Sequence, residues 1–218
     1  MNDRVATAAA ALDAVAAPLG LARLESMGEA ESGAYRFYST RLRRGTIFSD
    51  YEIALARTLT EWPAAPRRIH EVGGGFGSLC LLLALLGFKS TCLELDARRF
   101  AAAEALRDGL TDAFVEIRDG YQLLNERFPL ARGALPPTGA MAVITNLVFT
   151  TSAGEKAEIL AALRDYDRAI IDVDRFLTPC ETAGQRAERL AELEAAGLYG
   201  APFLDLGKSA CFYRFGSR

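Results

Sequence analysis

Positions 69–79 read IHEVGGGFGSL, which sets a carboxylate, Glu71, two residues before a glycine cluster at the end of an apolar run. Glycines there let the main chain turn sharply and lie against a ligand, and the opening of a helix supplies free N–H groups. A site built for a bare pyrophosphate would carry no carboxylate at its lip, so Glu71 points to a cationic or zwitterionic partner. Gly73 and Gly75 serve the turn, with Gly74 between them, and Gly77 lets the next helix pack closely on the strand. A second acid, Glu94, ends the following apolar run about 20 residues on, where a carboxylate accepts hydrogen bonds from both hydroxyls of a ribose. A dinucleotide fingerprint would place glycine at 78, and serine stands there instead.

The spacing of Glu71, Gly73, Gly75 and Gly77 resembles the E/D-x-G-x-G-x-G signature of class I S-adenosylmethionine-dependent methyltransferases. The resemblance extends over residues 51–218. It implies an α/β fold, a Rossmann-like doubly wound sheet of seven strands with a C-terminal antiparallel hairpin, and S-adenosyl-L-methionine as cofactor. Carried onto this chain, the cofactor residues are Glu71, Gly73, Gly74, Gly75, Gly77, Glu94, Leu95, Asp119, Gly120 and Asn146. Asp119, following an expected third strand VEIRDG, would accept a hydrogen bond from the adenine amino group. The variant G-G-G-F-G looks like that of sugar O-methyltransferases of bacterial saccharide clusters. A small-molecule or sugar hydroxyl is therefore the expected acceptor, with amines kept open.

These residues need elements to hold them. Residues 1–50 are expected to form an amphipathic helix ending near Pro18 and Gly20, then a lid-like segment over 28–50 in which aromatics and arginines alternate. Residues 51–218 form the cofactor-binding domain. Its strands are expected at 67–72, 90–96, 115–120, 141–146 and 168–174, with helices at 51–61, 78–87, 97–108, 121–127, 155–163 and 180–197. Asp96 should cap the helix that follows it. The last apolar runs, GAPFLDLG and KSACFYRFG, read as an antiparallel hairpin.

Methyl transfer from a sulfonium is an in-line displacement that depends mainly on alignment, worth on the order of 7–11 kcal/mol. Asn146, at the end of the fourth strand, is the polar side chain that topology places beside the reacting atoms. It is followed by Leu-Val-Phe, which departs from the N-P-P-Y pattern of nucleic acid or glutamine N-methylation. Tyr35, Tyr38 and Asp50 are the pocket candidates that the resemblance offers upstream of the first strand, and Asp50, Asp172 or a tyrosine of the 35–38 segment is the candidate base. The sole histidine, His70, reads as a buried strand residue. Asp172 and Asp174 lack a third ligand, so no metal is expected.

A net charge of −3 and a pI near 5.4 give no general drive toward nucleic acid or anionic membrane. The four cysteines form no C-x-x-C pair and read as buried free thiols. Asp3 and Asp13 interrupt a secretion-signal reading of the N-terminal apolar stretch, and no later run approaches the length needed to cross a bilayer. A cytoplasmic protein is expected, with a small-molecule acceptor, no nucleic-acid or membrane partner, and a homodimer allowed for. The rival readings are an NAD-dependent oxidoreductase and a non-catalytic cofactor-binding subunit.

Overall fold

The computed structural model describes residues 3–25, 36–129, 135–148 and 152–216. Strands β1 (Arg68–Val72), β2 (Lys89–Leu93), β3 (Tyr121–Leu124), β4 (Ala140–Ile144), β6 (Arg168–Asp172), β8 (Tyr199–Asp205) and β9 (Cys211–Gly216) form one sheet, ordered β3-β2-β1-β4-β6-β9-β8. The first five in that order run parallel. β9 is inserted antiparallel between β6 and β8, as the hairpin reading anticipated. Two-residue strands β5 (Leu147–Val148) and β7 (Phe176–Leu177) pair beyond the ends of β4 and β6.

β4 is buried along its whole length and β1 along all but its first residue, because helices cover both faces of the central sheet. On one face the core joins α1 (Arg4–Glu25), α2 (Arg36–Arg43), α3 (Asp50–Glu61), α4 (Ser78–Leu85), α5 (Ala97–Thr111) and the short α6 (Val115–Gly120). On the other, α7 (Ala153–Leu163) and α8 (Ala183–Ala195) cover β4 and β6. Helix starts follow capping chemistry. Asp96 accepts from the N–H groups of Arg98 and Arg99, as expected, and Ser49, Ser152 and Thr182 form capping boxes with Glu52, Glu155 and Gln185.

Three expectations are corrected. First, α1 runs through Pro18 to Glu25 and does not stop at Gly20. Its buried residues Val5, Ala8, Ala9, Leu12, Ala16 and Ala17 recur at helical spacing, so packing against α2 and α5 carries it past the carbonyl that Pro18 leaves without a donor. By length and composition alone the 4–23 stretch, with mean hydropathy 1.7, is also long and apolar enough to cross a membrane.

Second, residues 115–120 are helical, and third, β3 is Tyr121–Leu124, where a helix was expected. VEIRDG alternates apolar and polar residues, but Ile117 alone is buried while Val115 points to solvent. Six residues are too few for periodicity to separate helix from strand. The described residues of the β3–β4 connection contain no helix.

Candidate functional site

Equivalent registers bring the C-terminal ends of β1, β2 and β3 level, with Val72 beside Leu93 and Leu93 beside Leu124. The turn after β1 is tied to its neighbour by Gly73 and Gly74 N–H groups donating to the Leu93 carbonyl at 2.8 and 3.2 Å. A cleft of about 400 Å³ opens along this edge. Gly73, Glu94, Asp96 and Asn146 line it with polar groups, and Leu95, Phe128, Leu147 and Ile159 supply apolar walls. This is the edge at which open α/β sheets bind ligands.

Glu94 is nearly covered, and its carboxylate accepts from Gly75 N at 2.9 Å and from Asp96 N at 2.8 Å. Burial raises its pKa, and the two backbone donors oppose that shift. Leu95 beside it is 62% exposed although large and apolar, so the cleft has an apolar surface with nothing yet packed on it. Asn125 donates to the carbonyls of Glu94 and Leu95 at 2.8 and 3.2 Å and holds this corner in place. The sequence reading missed Asn125, because it placed that residue in a helix.

Only Gly73 of the glycine cluster lines the cleft; the others each accommodate a different neighbour. A Cβ on Gly74 would meet Cys92 Sγ and Glu71 Oε2 at 2.6 and 2.9 Å, and one on Gly77 would meet Tyr121 Oη at 2.2 Å. Gly75, at φ +59°, faces Tyr38, whose hydroxyl would lie 1.9 Å from a Cβ there. The Tyr38 ring stacks on Phe76 at 3.8 Å between centroids, and the Arg41 guanidinium sits 4.8 Å from the Tyr38 ring centre. Part of the expected lid thus lies on the glycine turn, while Tyr35 is outside the described residues.

Glu71 is not at the lip of the turn but beneath it, 1% exposed, since the strand's last residues are covered on both faces. Its Oε1 accepts from Thr145 Oγ1 at 3.4 Å, and Oε2 has no hydrogen-bond partner. Burial, helped by the charge of Glu52, pushes Glu71 up to about 8. Glu52 itself is buried and accepts from Ser49 N, Ser49 Oγ, Arg41 Nη1 and Ser78 Oγ, which ties α2 and α3 to the first turn of α4. Glu52 escaped the sequence reading because its partners are brought to it from three separate elements.

Asp119 and Gly120 do not join this edge. They precede β3, and with Arg68, His70 and Lys89 they border a hollow at the opposite end of the strands. The shift of the third strand by one element moves them there. Asp50 is exposed as the first residue of α3 and does not line the cleft. Asp172 is buried with Oδ1 accepting from Cys211 N and Asp174 N, a capping role, and burial pushes it up to about 6. His70 is buried, as read from the sequence. Cys80, Cys92 and Cys211 are buried free thiols, and Cys180 is half-buried. Among the described residues no group of three metal-ligating side chains occurs.

The strand order, the inserted antiparallel β9 and the glycine turn at the cleft define the fold of the class I S-adenosylmethionine-dependent methyltransferases. Solved structures agree. The glycopeptide N-methyltransferase MtfA complexed with (S)-adenosyl-L-methionine matches with a TM-score of 0.53 at 15% identity, over 76% of this chain and 86% of that one. A TehB-like SAM-dependent methyltransferase from Corynebacterium glutamicum matches with a TM-score of 0.53 at 15% identity, over 87% and 98% of the two chains. In sequence, the chain is similar to the ribosomal RNA small subunit methyltransferase A of Corynebacterium jeikeium (strain K411), 26% identical over 147 residues. That match covers 66% of this chain and 42% of the relative, so the chain spans less than half of that protein's length. No protein-family model matches.

Proposed function

We propose that this chain is an S-adenosylmethionine-dependent methyltransferase acting on a hydroxyl or amine of a small molecule. The observation that carries the reading is the cleft at the strand ends where the glycine turn meets Glu94 and Leu95, with Glu94 held by Gly75 N and Asp96 N. Glu94 has acceptor capacity for ribose hydroxyls, and Leu95 and Phe128 offer apolar surface to a purine. When bound, S-adenosylmethionine supplies an electrophilic methyl on sulfur. An acceptor's lone pair would displace that carbon from sulfur, and the residues lining the cleft would hold the two in line. An acceptor proton then leaves to water or to a base.

Asn146, at the rim of the cleft beyond β4, orients the acceptor. Tyr38 borders the glycine turn, and Asp50, exposed at the start of α3, is not among the residues that line the cleft. The chain's alignment of the two reactants is thus its main contribution, and alignment alone is worth on the order of 7–11 kcal/mol.

Calorimetry with S-adenosylhomocysteine and with NAD tests the reading. Saturable binding of the first and none of the second is expected; the reverse would turn the assignment to an oxidoreductase. An RNA acceptor is the second reading, favoured by the ribosomal RNA methyltransferase relative. Binding to RNA that weakens steeply with salt would support it, against the net charge of −3.

A further inference from the structure

His70, Thr91 and Gln122 stand level on β1, β2 and β3. Laterally paired residues share a sheet face, so the three make a polar row. Two residues further along the same strands the corresponding row is Val72, Leu93 and Leu124, which is apolar. The polar row borders an open hollow of about 440 Å³ at the end of the sheet away from the glycine turn. Arg68, Lys89 and Pro136 stand at its margin.

His70 is fully buried, yet it contributes to the lining of this hollow. Its Nδ1 lies 3.0 Å from the Tyr166 hydroxyl, and its Nε2 has no hydrogen-bond partner. Buried polar atoms are rarely left unmatched, and one facing a hollow is matched by whatever enters it. Burial, with the charge of Arg68, lowers His70 to about 4, so the ring is neutral at pH 7. In the tautomer in which the Tyr166 hydroxyl donates to Nδ1, the ring proton sits on Nε2, which is then a donor.

The other groups are donors too. Thr91 Oγ1 meets Gln122 Oε1 at 3.4 Å, which leaves the Gln122 amide hydrogens to donate elsewhere. Lys89 gives a single proton to the Asp119 carbonyl at 2.7 Å and keeps two. Arg68 adds an exposed guanidinium. Asp119, the acid among the lining residues, is engaged by Arg118 at 3.2 Å.

We infer that this hollow is a second binding site, which takes a small oxyanion, a phosphate or carboxylate group, on His70 Nε2, the Gln122 amide, Lys89 and Arg68. N–H donors and two cations around one hollow are what such a group requires, since charge-assisted hydrogen bonds are the strong ones. The site is independent of the cofactor cleft. It lies at the other end of the strands, and Glu71, next to His70 in sequence, projects to the opposite face of the sheet.

The single histidine makes the test direct, because one imidazole gives one set of nitrogen resonances. The full chain, labelled with ¹⁵N, is titrated with inorganic phosphate and separately with acetate, at constant ionic strength set with chloride. A saturable shift of the His70 Nε2 resonance is expected. Phosphate acting at lower concentration would assign a phosphate site, and acetate at lower concentration a carboxylate site. Lys89→Ala and Arg68→Ala, both at exposed positions, should each weaken the effect about tenfold, the loss of one charge-assisted contact. The inference is overturned if neither anion shifts the resonance, or if the shift persists unchanged in both variants. No arm involves S-adenosylmethionine, so failure here leaves the proposed activity untouched and the converse also holds.

Discussion

Replacing Gly75 with alanine tests the packing of the glycine turn. Gly75 has φ +59°, and a non-glycine residue in that region costs about 1–2 kcal/mol. The new Cβ would also lie 1.9 Å from Tyr38 Oη and 3.1 Å from Tyr38 Cζ, so the ring must move. Moving it breaks the stack on Phe76, worth about 0.5–1.5 kcal/mol beyond its buried area. The sum is a loss of about 1.5–3.5 kcal/mol, which lowers Tm by about 3–14 °C for a chain of this size. Urea denaturation of four proteins, wild type, Gly75→Ala, Tyr38→Ala and the double variant, separates the two causes. In the Tyr38→Ala background only the backbone cost remains, so adding Gly75→Ala should cost about 1 kcal/mol less than it does in the wild type. An equal cost in both backgrounds would refute the claim that Tyr38 lies over the turn.

Three further outcomes are expected. Glu71 is raised in the folded protein from 4.5 to about 8. The folded state therefore holds the proton more tightly, and its contribution to stability is full below pH 4.5 and lost as pH rises through about 8. Glu71→Gln should flatten that decline in a pH series of denaturation midpoints; a parallel decline in the variant would show that another group causes it. Glu94→Ala removes the acceptor of Gly75 N and Asp96 N. It should cost about 1–3 kcal/mol of stability and weaken S-adenosylhomocysteine binding about thirtyfold by calorimetry. Asp50→Ala touches only the exposed first turn of α3, so stability should fall by less than about 1 kcal/mol with cofactor affinity unchanged; a large loss of affinity would place Asp50 at the cleft after all.

Much of this arrangement was legible from local sequence. The glycine turn, the acid ending β2, the Asp96 cap and the terminal hairpin each depend on residues a few positions apart, and backbone sterics or capping chemistry dictate the outcome. The errors have a common physical origin. Residues 115–120 alternate as a strand would, but over so short a span that the packing of Ile117 decides for a helix. Pro18 reads as a stop because sequence shows the lost hydrogen bond but not the buried face of α1 that offsets it. Glu71 was recognised as an acid beside the turn, whereas its covering by both layers of the fold follows from long-range assembly. Glu52 reaches partners as many as 26 positions away, and no local pattern announces it.

The placement of β9 bears on how the chain is made. Phe212 and Phe215 are almost completely covered, and their strand is a wedge between β6 and β8. During synthesis the five parallel strands leave the ribosome first, and β6 waits with an unpaired flank until residues 211–216 arrive. Pairing across so long a stretch of chain is slow. A ribosome stalled before codon 211 would thus release a sheet with a raw, adhesive border, and chaperone demand should peak there.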